Sequence, residues 1–151
     1  MSALRVAPVP WWVCGGYALQ LHVGRAWRPL GDVDVAVREI HAPRLAAYLR
    51  TVPATGVELT VSAGDDSHWV SRRAPDVRIP WGQAILTGPC ATPYLAPELV
   101  LLSKSRRLAP RDLVDAAQVL PVLTGAQRAH LDELLPFGHP WRGGADGWVS
   151  S

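Results

Sequence analysis

The chain has 151 residues, of which 48% are hydrophobic, enough for one domain with a buried core, with or without a small appendage. Its formal net charge of +2 is too small to indicate nucleic-acid binding, and no apolar run reaches the ~18 residues that a membrane helix needs. Its two distant cysteines, Cys14 and Cys90, form neither a disulfide framework nor a metal-ligand cluster. We therefore expect a cytoplasmic protein that binds neither a membrane nor nucleic acid.

Prolines, glycines and hydrophobic periodicity divide the chain into predicted elements. Alternation of polar and apolar residues predicts strands, whereas apolar residues three or four apart predict helices. Proline suits the first turn of a helix and so marks helix starts. The predicted elements, in chain order, are an extended lead-in over 1–10, a helix over 17–23, a strand over 32–38, a helix over 43–50, a strand over 56–63, short strands near 69–70, 77–79 and 83–87, and three helices that open at Pro97, Pro110 and Thr124.

This order of elements predicts an α/β fold in which helices flank one mixed sheet and a helical portion ends the chain. We expect residues 1–95 to form the α/β core and residues 96–141 to form helices that pack on it as a single compact unit. Residues 142–151 are rich in glycine and end in two serines, which predicts a flexible tail.

Three acidic residues and a glycine pair stand out from this framework. Asp32 and Asp34 lie two apart on a predicted strand, so their side chains point to one face, roughly 7 Å apart, while the intervening valines point to the other. Glu58 alternates with apolar residues on the next long strand in the same way. Gly15 and Gly16 precede a helix, whose start exposes backbone N–H groups. Carboxylates beside such groups suit a divalent metal ion that carries a phosphate.

Several sequence blocks resemble those of a known family. The strongest blocks are Gly15-Gly16-Tyr17-Ala18-Leu19, Gly24-Arg25, Arg28-Pro29 and Gly31-Asp32-Val33-Asp34-Val35-Ala36-Val37, and weaker ones continue to Trp141. Over most of residues 11–141 the chain is similar to the aminoglycoside and lincosamide adenylyltransferase-like members of the polymerase-beta-type nucleotidyltransferase superfamily. The resemblance implies a nucleotidyltransferase-type mixed sheet flanked by helices.

The resemblance also implies roles for individual residues. Asp32, Asp34 and Glu58 would be the catalytic residues and would bind one or two Mg²⁺ ions. Glu58 would either complete the metal site or take the proton from an attacking hydroxyl. The residues implied to bind the triphosphate of ATP, or of another nucleotide, are Gly15, Gly16, Arg25, Arg28 and Lys104.

The triphosphate roles each have a simpler alternative. Arg25 and Arg28 would otherwise be ordinary charges of a loop or partners in ion pairs. Lys104 would be a cation at a helix C-terminus, which favours positive charge without any ligand.

The implied reaction moves a nucleoside monophosphate, AMP in the simplest case, from its triphosphate to a hydroxyl of a small antibiotic-like acceptor and releases pyrophosphate. The stretch between the strand of Asp32 and Asp34 and the strand of Glu58 is short for this family. This leaves open a second hypothesis, a binding or antitoxin-like module that keeps the fold without transferase activity. A third is a biosynthetic enzyme that uses the fold for other chemistry. The sequence leaves the oligomeric state open, a homodimer included.

Overall fold

In the computed structural model the described residues are 2–72 and 74–143, with only the backbone of Ser2 described. These ranges contain seven strands and six α-helices. The strands are β1 Trp12–Val13, β2 Val33–Arg38, β3 Val57–Gly64, β4 His68–Ser71, β5 Ala74–Pro80, β6 Ile85–Thr87 and β7 Pro93–Leu95. The helices are α1 Gly15–Val23, α2 Ala42–Leu49, α3 Trp81–Ala84, α4 Pro97–Lys104, α5 Pro110–Val119 and α6 Gly125–Leu134.

The seven strands form one mixed sheet in the order β5-β4-β3-β2-β1-β7-β6. The centre of the sheet contains two parallel pairs, β2 with β3 and β1 with β7, and β1 runs antiparallel to β2. Antiparallel hairpins complete both edges, β3-β4-β5 on one side and β6-β7 on the other. The predicted α/β fold with a mixed sheet is confirmed.

The two faces of β2 have different surroundings. Val35 and Val37 are fully buried on one face, against Leu45 of α2 and Leu4 of the N-terminal segment. Ala36 points to the other face, into the larger core beneath α1 and α4. Asp34 shares that second face and is only half-buried. The predicted alternation of one apolar and one polar side is therefore present.

The last three helices close this second face. α4 is almost wholly buried because it packs against both α1 and α6. α6 begins with a capping box, in which the Gln127 backbone N–H donates to Thr124 Oγ1 at 3.2 Å. In the reverse direction, the Thr124 backbone N–H donates to Gln127 Oε1 at 3.0 Å. Two of the otherwise unpaired N–H groups at the start of α6 are thus satisfied.

Some predicted boundaries are wrong. The lead-in is not wholly extended, because Ser2–Val6 form a 3₁₀ helix that buries Leu4. α1 begins at Gly15 and not after the glycines, and residues 83–87 divide between α3 and β6. The sequence patterns also missed β7, whose three residues are too short to show alternation.

The ends of the predicted domain division are only partly described. Within the predicted tail, Arg142 donates through Nη1 to the Leu135 carbonyl, and the Gly143 backbone N–H donates to Asp132 Oδ1. Residues 144–151 of that tail lie outside the described residues, and the division at residue 95 stays a prediction. None of the helices described is both long and apolar enough to cross a membrane.

Candidate functional site

A cleft lies between the polar face of β2 and β3 and the helices α4 and α5. It consists of two adjoining cavities of about 450 Å³ and about 250 Å³, here called the large cavity and the small cavity. Both are lined by Gly15, Asp34, Lys104 and Arg111. The small cavity adds Gly16, Arg28, Leu30, Gly31, Asp32 and Glu58, so it holds seven of the eight residues implied by the resemblance.

Gly15 brings the start of α1 directly against the carboxylate of Asp34. Its φ of 63° lies in the left-handed region that glycine adopts without strain, and an added Cβ there would overlap Asp34 Oδ2. The Cys14 backbone N–H donates to the Asp34 carbonyl at 2.9 Å, which fixes the approach of the helix to β2. A side chain at position 15 would therefore displace the acid.

Asp34 and Glu58 are opposite each other on neighbouring strands. They are register partners in the parallel pair β2-β3, where strands lie about 4.8 Å apart and paired side chains share a face. Burial raises the pKa of the Asp34 carboxyl above its usual value, and the negative charges of Glu58 and Asp32 raise it further. No cation among the described residues forms an ion pair with Asp34.

The acids fit a metal site that a ligand would complete. Among the described residues, no three His, Cys, Asp or Glu side chains are arranged to hold an ion by themselves, so the predicted three-acid metal site is not preformed. Mg²⁺ in proteins is commonly bound by one or two carboxylates together with substrate phosphates and water. Asp32 and Asp34, in a cavity that a glycine backbone leaves open, suit that arrangement.

Arg28 and Lys104 line the small cavity but are held by acids of α5. Asp115 is fully buried and accepts from Arg28 Nε and Nη2, both at 2.8 Å, and from Trp27 Nε1 at 2.9 Å. Lys104 Nζ lies 3.1 Å from Asp115 Oδ2 and donates to Asp112 Oδ1 at 2.7 Å. Burial raises the pKa of Asp115, but the hydrogen bonds from Arg28, Trp27 and Lys104 outweigh it and lower the pKa below its usual value.

Arg25 is the implied site residue that the structure places elsewhere. Its exposed side chain donates to Gln118 of α5 and lines neither cavity. Arg111, in contrast, lines both cavities, and its positive charge lowers the pKa of Asp34. Sequence reasoning missed Arg111 because an arginine beside Pro110 has the pattern of an ordinary exposed residue in the first turn of a helix.

The strand order and the glycine-led helix beside an acid-bearing strand define a nucleotidyltransferase fold, which two solved structures of the antibiotic-resistance factor ANT(2'')-Ia share. The crystal structure in complex with adenylyl-2''-tobramycin has a TM-score of 0.63 and 12% identity, and the match covers 87% of this chain and 92% of that chain. The solution structure has a TM-score of 0.61 and 10% identity, with 86% and 83% covered.

The sequence comparison agrees with the fold. Residues 1–74, just under half of the chain, match the family model described as aminoglycoside-2''-adenylyltransferase. No curated protein matches the sequence significantly. The resemblance drawn from the sequence blocks is thus confirmed as a resemblance: residues 1–74 are similar to the aminoglycoside-2''-adenylyltransferase family, and the fold is similar to that of ANT(2'')-Ia. Both comparisons thus relate this chain, by similarity, to adenylyltransferases.

Proposed function

We propose that this chain is a metal-dependent enzyme that transfers AMP from ATP to a hydroxyl of a small antibiotic-like acceptor. One observation carries the proposal. The half-buried carboxylate of Asp34 packs against Gly15, faces Glu58 and has no cationic partner among the described residues. A carboxylate that is partly removed from water and lies beside a second one is unfavourable unless a cation binds there.

The nucleotide phosphates would occupy the small cavity. Gly16 is buried beside Arg28, and the start of the nine-residue helix α1 faces the acids, so phosphate oxygens can approach backbone N–H groups. Arg28 and Lys104 are neutralised by two acids, whereas Arg111 has no carboxylate partner among the described residues. Arg111 is therefore the strongest candidate for an ion pair with a phosphate, and Lys104 keeps one N–H donor for the same purpose.

Asp32 and Asp34 would hold Mg²⁺ together with phosphate oxygens of the nucleotide. When bound, the ion would neutralise the negative charge of the phosphates and so favour the departure of pyrophosphate. Glu58 is exposed opposite Asp34, where it would complete the metal site or accept the proton of the acceptor hydroxyl. A ligand role would raise the Mg²⁺ concentration that Glu58→Gln needs, whereas a base role would lower kcat and alter its pH profile.

The reaction is balanced by one displacement at phosphorus. The acceptor oxygen forms a bond to the α-phosphorus, the bond from that phosphorus to the bridging oxygen breaks, and the hydroxyl proton leaves with a base or with solvent. The products are the adenylylated acceptor and pyrophosphate. Cys14 and Cys90 are free thiols, which supports the cytoplasmic location that we propose for this chemistry.

The test is Mg²⁺-dependent transfer measured by mass spectrometry. Purified protein is incubated with ATP and a panel of hydroxylated acceptors, and both the adenylylated product and pyrophosphate are quantified. We expect transfer by the wild type and none by Asp32→Ala or Asp34→Ala, while Glu133→Ala on the exposed side of α6 behaves as the wild type. A folded wild-type protein that binds no Mg²⁺-nucleotide would refute the proposal.

A further inference from the structure

The large cavity is lined by more basic than acidic side chains. Its charged residues are the basic Arg72, Lys104, Arg107 and Arg111 and the acidic Asp34 and Asp112. Asp112 is buried and already accepts from Lys104 at 2.7 Å. Among the described residues, Asp34 is therefore the carboxylate of this cavity that lacks a cationic partner.

Three arginines of the large cavity lack an acidic partner among the described residues. Arg72 follows β4, Arg107 follows α4 and Arg111 lies in the first turn of α5, so three separate elements present them to the same space. All three are exposed, and none forms an ion pair with a carboxylate of the described residues. A guanidinium group binds carboxylate and phosphate through paired N–H donors, so this wall is suited to an anionic group.

The phosphate and metal contacts that we propose leave two of these arginines unused. Arg72 and Arg107 line only the large cavity, whereas Gly16, Asp32 and Glu58, which the proposed phosphate and metal contacts use, line only the small one. Arg72 and Arg107 are therefore available to bind a molecule in the large cavity. The hydroxyl-bearing side chains of β3 and the indole of Trp69 line the same space, which suits a hydroxylated molecule.

A polycationic acceptor fits this lining poorly. Aminoglycosides carry several amino groups that are protonated at neutral pH, and each needs an acceptor such as a carboxylate. The large cavity offers one such carboxylate, Asp34, which the proposed metal ion already uses. The arginines that line this cavity would repel the remaining amines.

We infer that the acceptor is a small hydroxylated molecule that carries a carboxylate or a phosphate group, held by Arg72 and Arg107, and is not a polycationic aminoglycoside. The inference rests on the proposed function, because it names the acceptor class of that reaction. The experiment below measures acceptor binding separately from nucleotide binding. The inference and the proposed function can therefore be refuted independently of each other.

The first arm compares three sugars that share a scaffold and differ in charge: glucose 6-phosphate, glucose and glucosamine. Thermal stabilisation of the wild-type protein is measured with Mg²⁺ and α,β-methylene-ATP present, so that the nucleotide site is filled and no transfer occurs. We expect stabilisation to follow the order glucose 6-phosphate, glucose, glucosamine. Absence of stabilisation by Mg²⁺ and the ATP analogue alone would count against the proposed function instead.

The second arm reverses the charge of the cavity. Arg72→Glu/Arg107→Glu should weaken the apparent affinity for glucose 6-phosphate by about tenfold or more, since charge-assisted hydrogen bonds are lost, and should strengthen that for glucosamine. Arg44→Glu, an exposed residue of α2 on the other side of the sheet, is the matched control and should change neither. Arg107→Gln alone should give an intermediate loss, which covers the case that the double variant does not fold.

Four outcomes would overturn the inference. They are the absence of stabilisation by all three sugars, stronger stabilisation of the wild type by glucosamine than by glucose 6-phosphate, an affinity for glucose 6-phosphate that Arg107→Gln leaves unchanged, and binding of glucose 6-phosphate that the ATP analogue abolishes. The last outcome would show that the anion site belongs to the nucleotide.

Discussion

Two pairs of carboxylates, one on α5 and one on the sheet, differ in how their charge is compensated. Asp112 and Asp115 of α5 are buried, and Lys104 and Arg28 neutralise them through short hydrogen bonds. Asp34 and Glu58 of the sheet face each other, and no described cation forms an ion pair with either. The first pair is neutralised within the folded chain, whereas the second is suited to a cation from outside.

The pKa values of the two walls move in opposite directions. At Asp34 burial and the neighbouring acids raise the pKa, so the ionised form is disfavoured in the folded state. At Asp115 burial also raises the pKa, but the donors around it overcome this effect and lower the pKa. The same residue type therefore stabilises the fold on one wall and belongs to the proposed metal site on the other.

The largest expected effect comes from removing the charge of Asp34. Asp34→Asn should lower nucleotide transfer by at least about 100-fold, as for a group that acts directly in the reaction. The same variant should melt at a higher temperature than the wild type near pH 7. The raised folded pKa means that the native state loses stability as pH rises through the interval above the unfolded pKa, and asparagine does not ionise.

Activity assays and thermal melts at pH 7 check both parts together. Glu133→Gln is the control, because it removes an exposed charge outside the cleft. A variant that loses activity and also melts at a lower temperature would assign Asp34 a structural role and remove the contrast between the two walls.

Replacement of Asp115 should affect mainly the stability of the fold. Asp115→Ala leaves Arg28 and Lys104 without their buried partner, which typically costs about 3–5 kcal/mol in the free energy of unfolding. Because its folded pKa is lowered, the wild type should lose this stabilisation as pH falls through that folded pKa. Urea unfolding at several pH values measures both effects, and equal acid sensitivity of variant and wild type would contradict them.

Gly15 tests the contact between the helix start and the acid. Gly15→Ala places a Cβ against Asp34 Oδ2 and forces alanine into the left-handed region, a strain of roughly 1–2 kcal/mol before the overlap is counted. Gly24→Ala is a matched control, since its φ is 79° and nothing lies within 4 Å of the added atom. Both variants should be less stable, but only Gly15→Ala should lose transfer activity. Equal activity in the two variants would separate Gly15 from the site.

Arg25 should give the smallest effect. Its side chain lies on the surface beside Gln118, so Arg25→Ala should change the unfolding free energy by no more than about 0.5 kcal/mol and leave nucleotide affinity unchanged. Arg111→Ala in the cleft is the comparison and should weaken nucleotide binding. Titration of ATP with Mg²⁺ into both variants measures the difference, and a larger loss at Arg25 would restore the role that the sequence resemblance gave it.

The side of the cleft formed by the sheet could be predicted better from the sequence than the side formed by the helices. Alternation along the strand places the side chain of Asp34 on the face away from the buried Val35. Pairing of the two long strands places Glu58 beside Asp34. The glycine pair was predictable because close approach of a backbone requires residues without a side chain. These features follow from local spacing, which the sequence displays directly.

The other wall depends on packing between distant segments. Asp115 is 87 residues from Arg28 along the chain, and no local pattern shows that the two meet. The periodicity of α5 predicted an apolar face, whereas its buried face includes Asp112 and Asp115. Arg111 entered the site for the same reason, since the orientation of α5 over the sheet places it there.

The proposed role of Asp34, holding a metal ion together with a nucleotide, is the one on which the rest of the site depends. Isothermal titration of α,β-methylene-ATP into wild type and Asp34→Asn, each with Mg²⁺ and with a chelator, tests it most directly because no acceptor is needed. We expect binding by the wild type that requires Mg²⁺ and is lost in the variant, while circular dichroism shows both proteins folded. Equal affinity in wild type and variant, or no binding by the wild type, would contradict it.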